Sequence, residues 1–438
     1  MDLLKDNVGK LYRKFFIASF GSALIACIYG LVDMAMVGQY HGPDGSAAMA
    51  VIAPIWNIIY SFGLLCGIGG SVIYAVARGE RDDVKAANGY FTSAFILGTL
   101  WALILWVLVW VCEEPLLRLF GANDALMPLC KEYMVAPKLT VPVYVFINLL
   151  SSFLRNDGDP GRATKAVIFG GIFNVFGDYF FVFTLDMGIK GAGIATAMGA
   201  STSVLVMLTH FISKKNTLKF VKPIRILNSF KMISVNGFSS FIVDVAMGIA
   251  TMLFNRRVME YLGTDALAVY GVIVVVGTLV QCCSYGIGQA AQPVISRNFG
   301  AGLTDRIKTM LKYNIITAAV FGAIWTVLSM AMPQVFIKLF MTPTPEVLSI
   351  APGIIRIYAI SFVLLPFNIY STYYFQAIMR AKISLIASVA RGIVISGALI
   401  LLLPVAFGGN AVWWAMPITE AVVFVYSAVM MKKVKLSR

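Results

Sequence analysis

The chain has 438 residues, 59% of them hydrophobic and only 13% charged, with a formal charge of +14 and a mean hydropathy of +0.83. Soluble domains carry about 25% charged residues, so the length does not count globular domains and the basic balance does not signal nucleic acid. What remains is a polytopic membrane protein.

The N-terminal residues 1–14 are charged and run directly into a full-length apolar segment, which predicts that there is no cleavable signal peptide. Apolar runs follow at residues 15–39, 50–77, 89–111, 133–154, 163–185 and 192–212. After a polar stretch they resume at 232–261, 266–295, 313–332, 354–379, 383–407 and 411–431. Each is long enough for a bilayer, which needs roughly 20 apolar residues. The pattern predicts twelve spans.

Basic residues fall unevenly on the connections of such a model. The N-terminal tail, the 2–3, 4–5, 8–9 and 10–11 connections, the stretch 214–231 and the C-terminal tail hold 27 of the 35 lysines and arginines. Arg391 is counted here with the flanks of the 10–11 connection. All these segments lie on one side, which the positive-inside rule makes cytoplasmic. The net charge is therefore a topology signal, with both termini inside; attraction to anionic membrane lipid is secondary.

The chain also repeats itself. Gly67, Gly69 and Arg78 recur as Gly286, Gly288 and Arg297; Ala48 and Val51 recur as Ala266 and Val269; Tyr133, Pro142 and Arg155 recur as Tyr358, Pro366 and Arg380. Each copy holds six spans, so both enter from the same side, and such parallel repeats relate by an axis along the membrane normal. The expected fold is thus an all-α membrane protein: twelve transmembrane helices in two six-helix lobes, with a pseudo-two-fold along the normal. The first lobe is expected over 1–213 and the second over 232–438, joined by a basic cytoplasmic linker at 214–231.

Of 21 acidic residues, 17 fall in loops or tails. The four inside spans are Asp33 in span 1, Asp178 in span 5, Asp244 in span 7 and Glu420 in span 12. An ionised carboxylate at mid-membrane costs about 2.5–3.5 kcal/mol or more, and no lysine or arginine in the apolar segments offers an evident partner. A small cation or a proton is the simplest missing one. Asn174 lies four residues before Asp178 and so stacks on the same helix face. With the span-6 hydroxyl of Thr196, Asp33, Asn174 and Asp178 form the kind of oxygen set that hard cations prefer. A proton carried on a carboxyl is the alternative, and the sequence does not choose between them. Met34, Met36, Asp244, Met247 and Glu420 are candidate lining for a substrate cavity.

The remaining motifs read as structural. The glycines at 67–70 lack the lysine of a phosphate loop and suit close helix packing. The six cysteines form no metal-binding spacing, and His41 and His210 are far apart in sequence. No catalytic triad, ATP-binding motif or zinc spacing is present, so no enzyme and no cofactor beyond a coupling ion is expected. A receptor or scaffold would explain neither the repeat nor the four acids.

Val32, Asp33 and Gly38 in span 1, Asn174 and Asp178 in span 5, Gly191 to Thr196 opening span 6, and Pro417 to Glu420 in span 12 together resemble the multidrug and toxic compound extrusion (MATE) family of prokaryotic type. The resemblance implies a cation-coupled antiporter in a prokaryotic cell membrane, with two lobes around a central cavity. It also implies a first-lobe cation site on Asp33, Asn174, Asp178 and Thr196. The implied cargo is small amphipathic organic compounds, cationic ones above all, exported against Na+ or H+ by a monomer. Some branches of the family pair acids in spans 7 and 10; span 10 here has Asn368 and Gln376 but no carboxylate. A flippase for a lipid-linked or polysaccharide precursor is the alternative, with Arg256, Arg257 and Arg356 as its only basic support.

Overall fold

The computed structural model describes residues 2–81, 84–223, 225–341 and 343–436, apart from the side chains of Pro43 and Arg81. Arg81 and Arg438, two of the basic residues counted in orienting the chain, therefore have no described side chain. The described elements are helices throughout. A bilayer demands this: with no water at depth, each N–H and C=O must bond within its own segment or a closed barrel.

Among the described residues ten helices are long and apolar enough to cross a membrane, and the bent pair Met127–Leu139 and Val141–Asn156, at 56°, makes eleven. One of the ten, Ile226–Gly300, runs for 75 residues and breaks at Gly263, where φ is 79°. It is two spans, and the expected total of twelve is reached. In order these are span 1 (Val8–Gly42), span 2 (Asp44–Glu80), span 3 (Val84–Val111), the bent span 4, span 5 (Pro160–Thr184) and span 6 (Gly188–Ile212). Spans 7 and 8 share Ile226–Gly300, and span 9 (Thr304–Ala331), span 10 (Pro345–Ala377), span 11 (Ala381–Phe407) and span 12 (Gly409–Lys433) complete the bundle.

The turn between spans 1 and 2 has the same design as that between spans 7 and 8. Gly42 has φ of 64°, a conformation that a side chain disfavours and glycine adopts freely. The two glycines are 221 positions apart (263 less 42) and so belong to the repeat. In span 4 the bend falls just before Pro142, which lacks the N–H that would continue the helical ladder.

Buried apolar residues form two cores, one per half of the chain. The first gathers residues from Val37 to Leu218, with Ile233. The second gathers residues from Phe254 to Ala415 and borrows Leu3, Val8, Leu11, Phe15, Ile68, Val72 and Val76 from the first half. The lobes thus interlock at the end of the bundle where both termini lie. There, Arg306 donates to the carbonyls of Leu3 (3.1 Å) and Asp6 (2.7 Å), Tyr12 stacks on Tyr313 with ring centroids 5.5 Å apart, and Phe20 meets Phe321 edge-on at 5.5 Å.

Backbone contact closes this seam. A Cβ on Gly69 would lie 2.1 Å from the Ile233 carbonyl oxygen, and one on Gly237 would lie 2.0 Å from that of Leu65. The same reciprocity joins Gly79 to the Arg297 carbonyl and Gly300 to the Val76 carbonyl, both at 2.0 Å. No side chain fits at any of the four. At the opposite end the lobes part around an open cleft of about 820 Å³, lined by Ile28, Val32, Met34 and Gln39 from span 1 and by Val275 and Phe340 from the second lobe.

Of the stretch expected as a linker, 214–231, the residues up to 223 form no regular helix, residue 224 lies outside the described residues, and the last six already belong to the span-7 helix. The coil is bound to the first lobe. The Thr217 N–H donates to Asp157 Oδ2 at 2.9 Å, Asn88 bonds the Thr217 carbonyl (3.0 Å) and the Lys219 N–H (3.1 Å), and Leu218 is buried. Beside it, buried His210 lies 2.7 Å from Asp157 Oδ2 and 3.4 Å from Asp159 Oδ2.

Placing a methyl group in the glycine seam should push the lobes apart. Gly237→Ala is expected to destabilise the seam by about 1–3 kcal/mol, the usual range for overpacking. The melting temperature of the purified protein should fall, and a cysteine replacing buried Ser240 in a background without native cysteines should gain reactivity toward a polar maleimide. Unchanged melting and unchanged labelling would refute the seam.

Candidate functional site

Close approach of spans 4, 5 and 6 creates the first-lobe site. A Cβ on Gly193 would sit 2.2 Å from the Tyr133 carbonyl oxygen, and one on Gly199 would sit 2.9 Å from Asn174 Cβ. With glycine at both positions, span 6 brings Thr196 against span 4 and span 5 together. Asp33 then reaches in from span 1. Its Oδ2 accepts from Thr196 Oγ1 at 3.3 Å and from the Tyr133 hydroxyl at 3.4 Å. Tyr133 also reaches Thr196 at 3.3 Å, and Asn174 Nδ2 donates to Thr196 Oγ1 at 3.3 Å.

Three of the four residues singled out from the sequence, Asp33, Asn174 and Thr196, thus form one hydrogen-bonded cluster. They share a cavity of about 210 Å³ whose wall includes Tyr29, Trp56, Tyr60, Tyr133 and Tyr144. Asp178 is fully buried, one turn along span 5 from Asn174, and lies within electrostatic reach of Asp33 without being part of that wall. The helix converts to a π-helical turn over Tyr179–Thr184, directly after it. Such insertions are rare and often mark functional positions, because they re-aim the side chains beside them.

Oxygen atoms at this place lack partners. Among the described residues, none gives a hydrogen bond to buried Asp33 Oδ1, Asn174 Oδ1 or either carboxylate oxygen of Asp178. Leaving such groups unmet costs about 1–3 kcal/mol each and more when charged. The set fits a hard cation, which takes oxygen from carboxylates and amides, and it equally fits protons on the carboxyls. Among the described residues no three histidine, cysteine or acidic side chains converge as a metal cluster.

The second lobe is arranged differently. Glu420 is fully buried, and its Oε1 accepts from Arg391 Nε at 2.8 Å while its Oε2 accepts from Asn368 Nδ2 at 2.6 Å. This corrects the expectation that no basic side chain in the apolar segments meets an acid. Arg391, counted from the sequence with a loop flank, lies inside span 11 in a second π-helical turn, Ala390–Val394. Arg155, counted with the 4–5 connection, is likewise buried in the last turn of span 4 and reaches Ser22 at 3.4 Å.

The expected lining residues are dispersed. Asp244 accepts from Tyr285 at 2.6 Å and lines a small pocket with Arg391 and Tyr373. Met247 lines a pocket of about 80 Å³ with Phe254, Tyr270 and Arg391, whereas Met34 faces the open cleft. Met36 and Glu420 line none of these. Nor do the three arginines on which a pyrophosphate-binding flippase would depend: Arg257 pairs with Glu260 at 2.8 Å, Arg356 donates to the Met330 carbonyl at 3.1 Å, and Arg256 is exposed. Sequence reasoning missed Tyr133 and Arg391 as site residues. Tyr133 stood out only as a landmark of the repeat, and Arg391 was hidden by its closeness to a polar connection.

A model of the MatE family matches the chain twice, over residues 18–180 and 237–401, once in each half. Among curated proteins, the multidrug export protein MepA of Staphylococcus saprophyticus is 23% identical over 426 residues, covering 95% of this chain and 92% of its own length. That of Staphylococcus haemolyticus is 24% identical over 427 residues with the same coverage. Among solved structures, the outward-facing conformation of a multidrug resistance MATE family transporter of the MOP superfamily superposes with a TM-score of 0.90 at 22% identity, over 98% of this chain and 97% of that one. A MOP superfamily transporter from Pyrococcus furiosus superposes with a TM-score of 0.88 at 22% identity and the same coverage. These likenesses add the shared twelve-helix fold to the family match. The chain belongs to the MatE family and is a multi-pass membrane transporter, not an enzyme.

Proposed function

We propose that this protein is a multidrug exporter of a prokaryotic cell membrane, working as a monomer that exchanges organic compounds for Na+ or H+ by alternating access. The observation that carries the reading is the group of unpartnered oxygens on Asp33, Asn174 and Asp178. A mobile cation visiting them in one state and leaving in the other would satisfy oxygens that no fixed group among the described residues meets. Thr196 completes the shell, and Tyr133 orients the Asp33 carboxylate through its hydroxyl.

The kind of cargo follows from the walls. Five aromatic rings around Asp33 suit a flat or alkylated organic cation, since a cation over an aromatic face gains about 0.5–2 kcal/mol. Met34 in the cleft adds an adaptable apolar contact. The MepA relatives are named as multidrug export proteins, which agrees with broad rather than single-substrate selectivity. The positive-inside distribution puts both termini in the cytoplasm. The closed seam then faces the cytoplasm and the open cleft faces outward, with the two lobes rocking about the seam. Lipid contacts the outer surfaces of the spans. One charge moving inward down 100 mV releases about 2.3 kcal/mol, enough for a gradient of roughly 50-fold.

The test is efflux of a cationic dye from proteoliposomes under a Na+ gradient and, separately, a proton gradient. One of the two gradients should drive it. Asp178→Asn should abolish coupled efflux while the protein accumulates normally in the membrane, and full efflux by that variant would sink the reading. Tyr133→Phe keeps the ring and removes one hydroxyl. It should shift the half-maximal concentration of the driving cation by about tenfold, as loss of a hydrogen bond to a charged group implies; an unmoved midpoint would exclude Tyr133 from the site.

A further inference from the structure

The two lobes hold their buried carboxylates by different means, and the second lobe's means is built into the chain. Glu420 in span 12 is fully buried. Arg391 Nε is 2.8 Å from one of its oxygens and Asn368 Nδ2 is 2.6 Å from the other. The same Asn368 nitrogen also donates to the Glu420 main-chain carbonyl at 2.8 Å, which fixes the amide's orientation. Neither Glu420 oxygen is among the buried atoms without a partner, in contrast to both oxygens of Asp178 and one of Asp33. The Arg391 side chain is 11% exposed and borders two pockets, one of which also has Asp244 in its wall. A π-helical turn carries Arg391 in span 11 just as one follows Asp178 in span 5.

We infer that Arg391 is a tethered cation: it occupies, permanently and covalently attached, the place at Glu420 that a mobile ion would otherwise fill, and so confines ion coupling to the first lobe. The inference rests on the reading of Asp33 and Asp178 as the coupling site and says what the other lobe does instead. A guanidinium cannot lose its proton under physiological conditions and cannot diffuse away. A carboxylate held by it therefore exchanges nothing during a cycle. Removing the arginine alone would leave a buried uncompensated charge unless a solvent cation or proton takes its place. In this scheme Asp244, bonded to the Tyr285 hydroxyl and lining the same pocket as Arg391, also binds no mobile ion.

A hydrophobic carbodiimide tests this in the intact protein in membranes, with the modified residues read by mass spectrometry. The reagent attacks carboxyls in apolar surroundings when they carry a proton and spares those held as ion pairs. In the unmodified protein, Asp33 or Asp178 should react and be protected by the driving cation, while Glu420 should not react. Arg391→Gln should turn Glu420 reactive, to the level of Asp178, and Arg391→Lys should keep it unreactive. Reaction of Glu420 in the unmodified protein would overturn the inference, as would cation-protected reaction of Asp244. An Arg391→Gln variant that accumulates normally with Glu420 still inert would overturn it too. If Asp33 and Asp178 are inert while Arg391→Gln alone exposes Glu420, the first-lobe coupling site fails and the tethered pair stands. Should Arg391→Gln not accumulate, the contrast between Glu420 and Asp178 in the unmodified protein decides the matter alone.

Discussion

A carboxylate inside a hydrocarbon layer must be met by something, and the two halves of this chain meet that demand in opposite ways. In the second lobe a guanidinium and an amide close on Glu420 at 2.8 and 2.6 Å. In the first lobe hydroxyls reach one oxygen of Asp33, at 3.3 and 3.4 Å, and among the described residues no hydrogen-bond partner reaches Asp178. Such an open arrangement is unfavourable unless a transient partner arrives, and the transport proposal is built on that imbalance. The electrostatic cost that makes the site hard to fold is the same term that would make it respond to an ion.

The imbalance is useful only if the two lobes move relative to each other. The seam at the terminal end is made of backbone touching backbone at four glycines, with aromatic and polar contacts from the N-terminal segment around it. Contacts of this kind are short-ranged. They are strong when closed and vanish once the helices part by an ångström or two, which favours two discrete arrangements over a continuum. The coil from 214 to 223 travels with the first lobe, since its bonds go to Asp157, Asn88 and Thr92. Span 7 then begins directly after Arg225, where φ is 55°.

Much of this was legible before any coordinates. Apolar length alone marked the spans, since a bilayer's thickness sets a threshold that periodicity need not refine. The repeat followed from ordered motifs, and its axis followed from the even number of spans in each copy. Asp33, Asn174 and Thr196 could be singled out because a polar residue in an apolar run is conspicuous by composition. The turn glycines at 42 and 263 share the spacing of the repeat but looked ordinary within their surroundings, and only their positive φ revealed their role.

By itself the sequence determined the class of protein, the number of crossings, the twofold organisation and which carboxylates lie at depth, though not the arginines Arg155 and Arg391 that lie there too. These depend on local composition and on the thickness of the membrane, both of which act on one segment at a time. The tertiary structure decided which of those groups meet. Tyr133 joined the first-lobe cluster because two glycines let span 6 approach spans 4 and 5, and Arg391 turned inward to Glu420 from a helix turn widened by one residue. Those outcomes depend on distances between segments far apart in the chain, set by packing, and no pattern within a single segment encodes them.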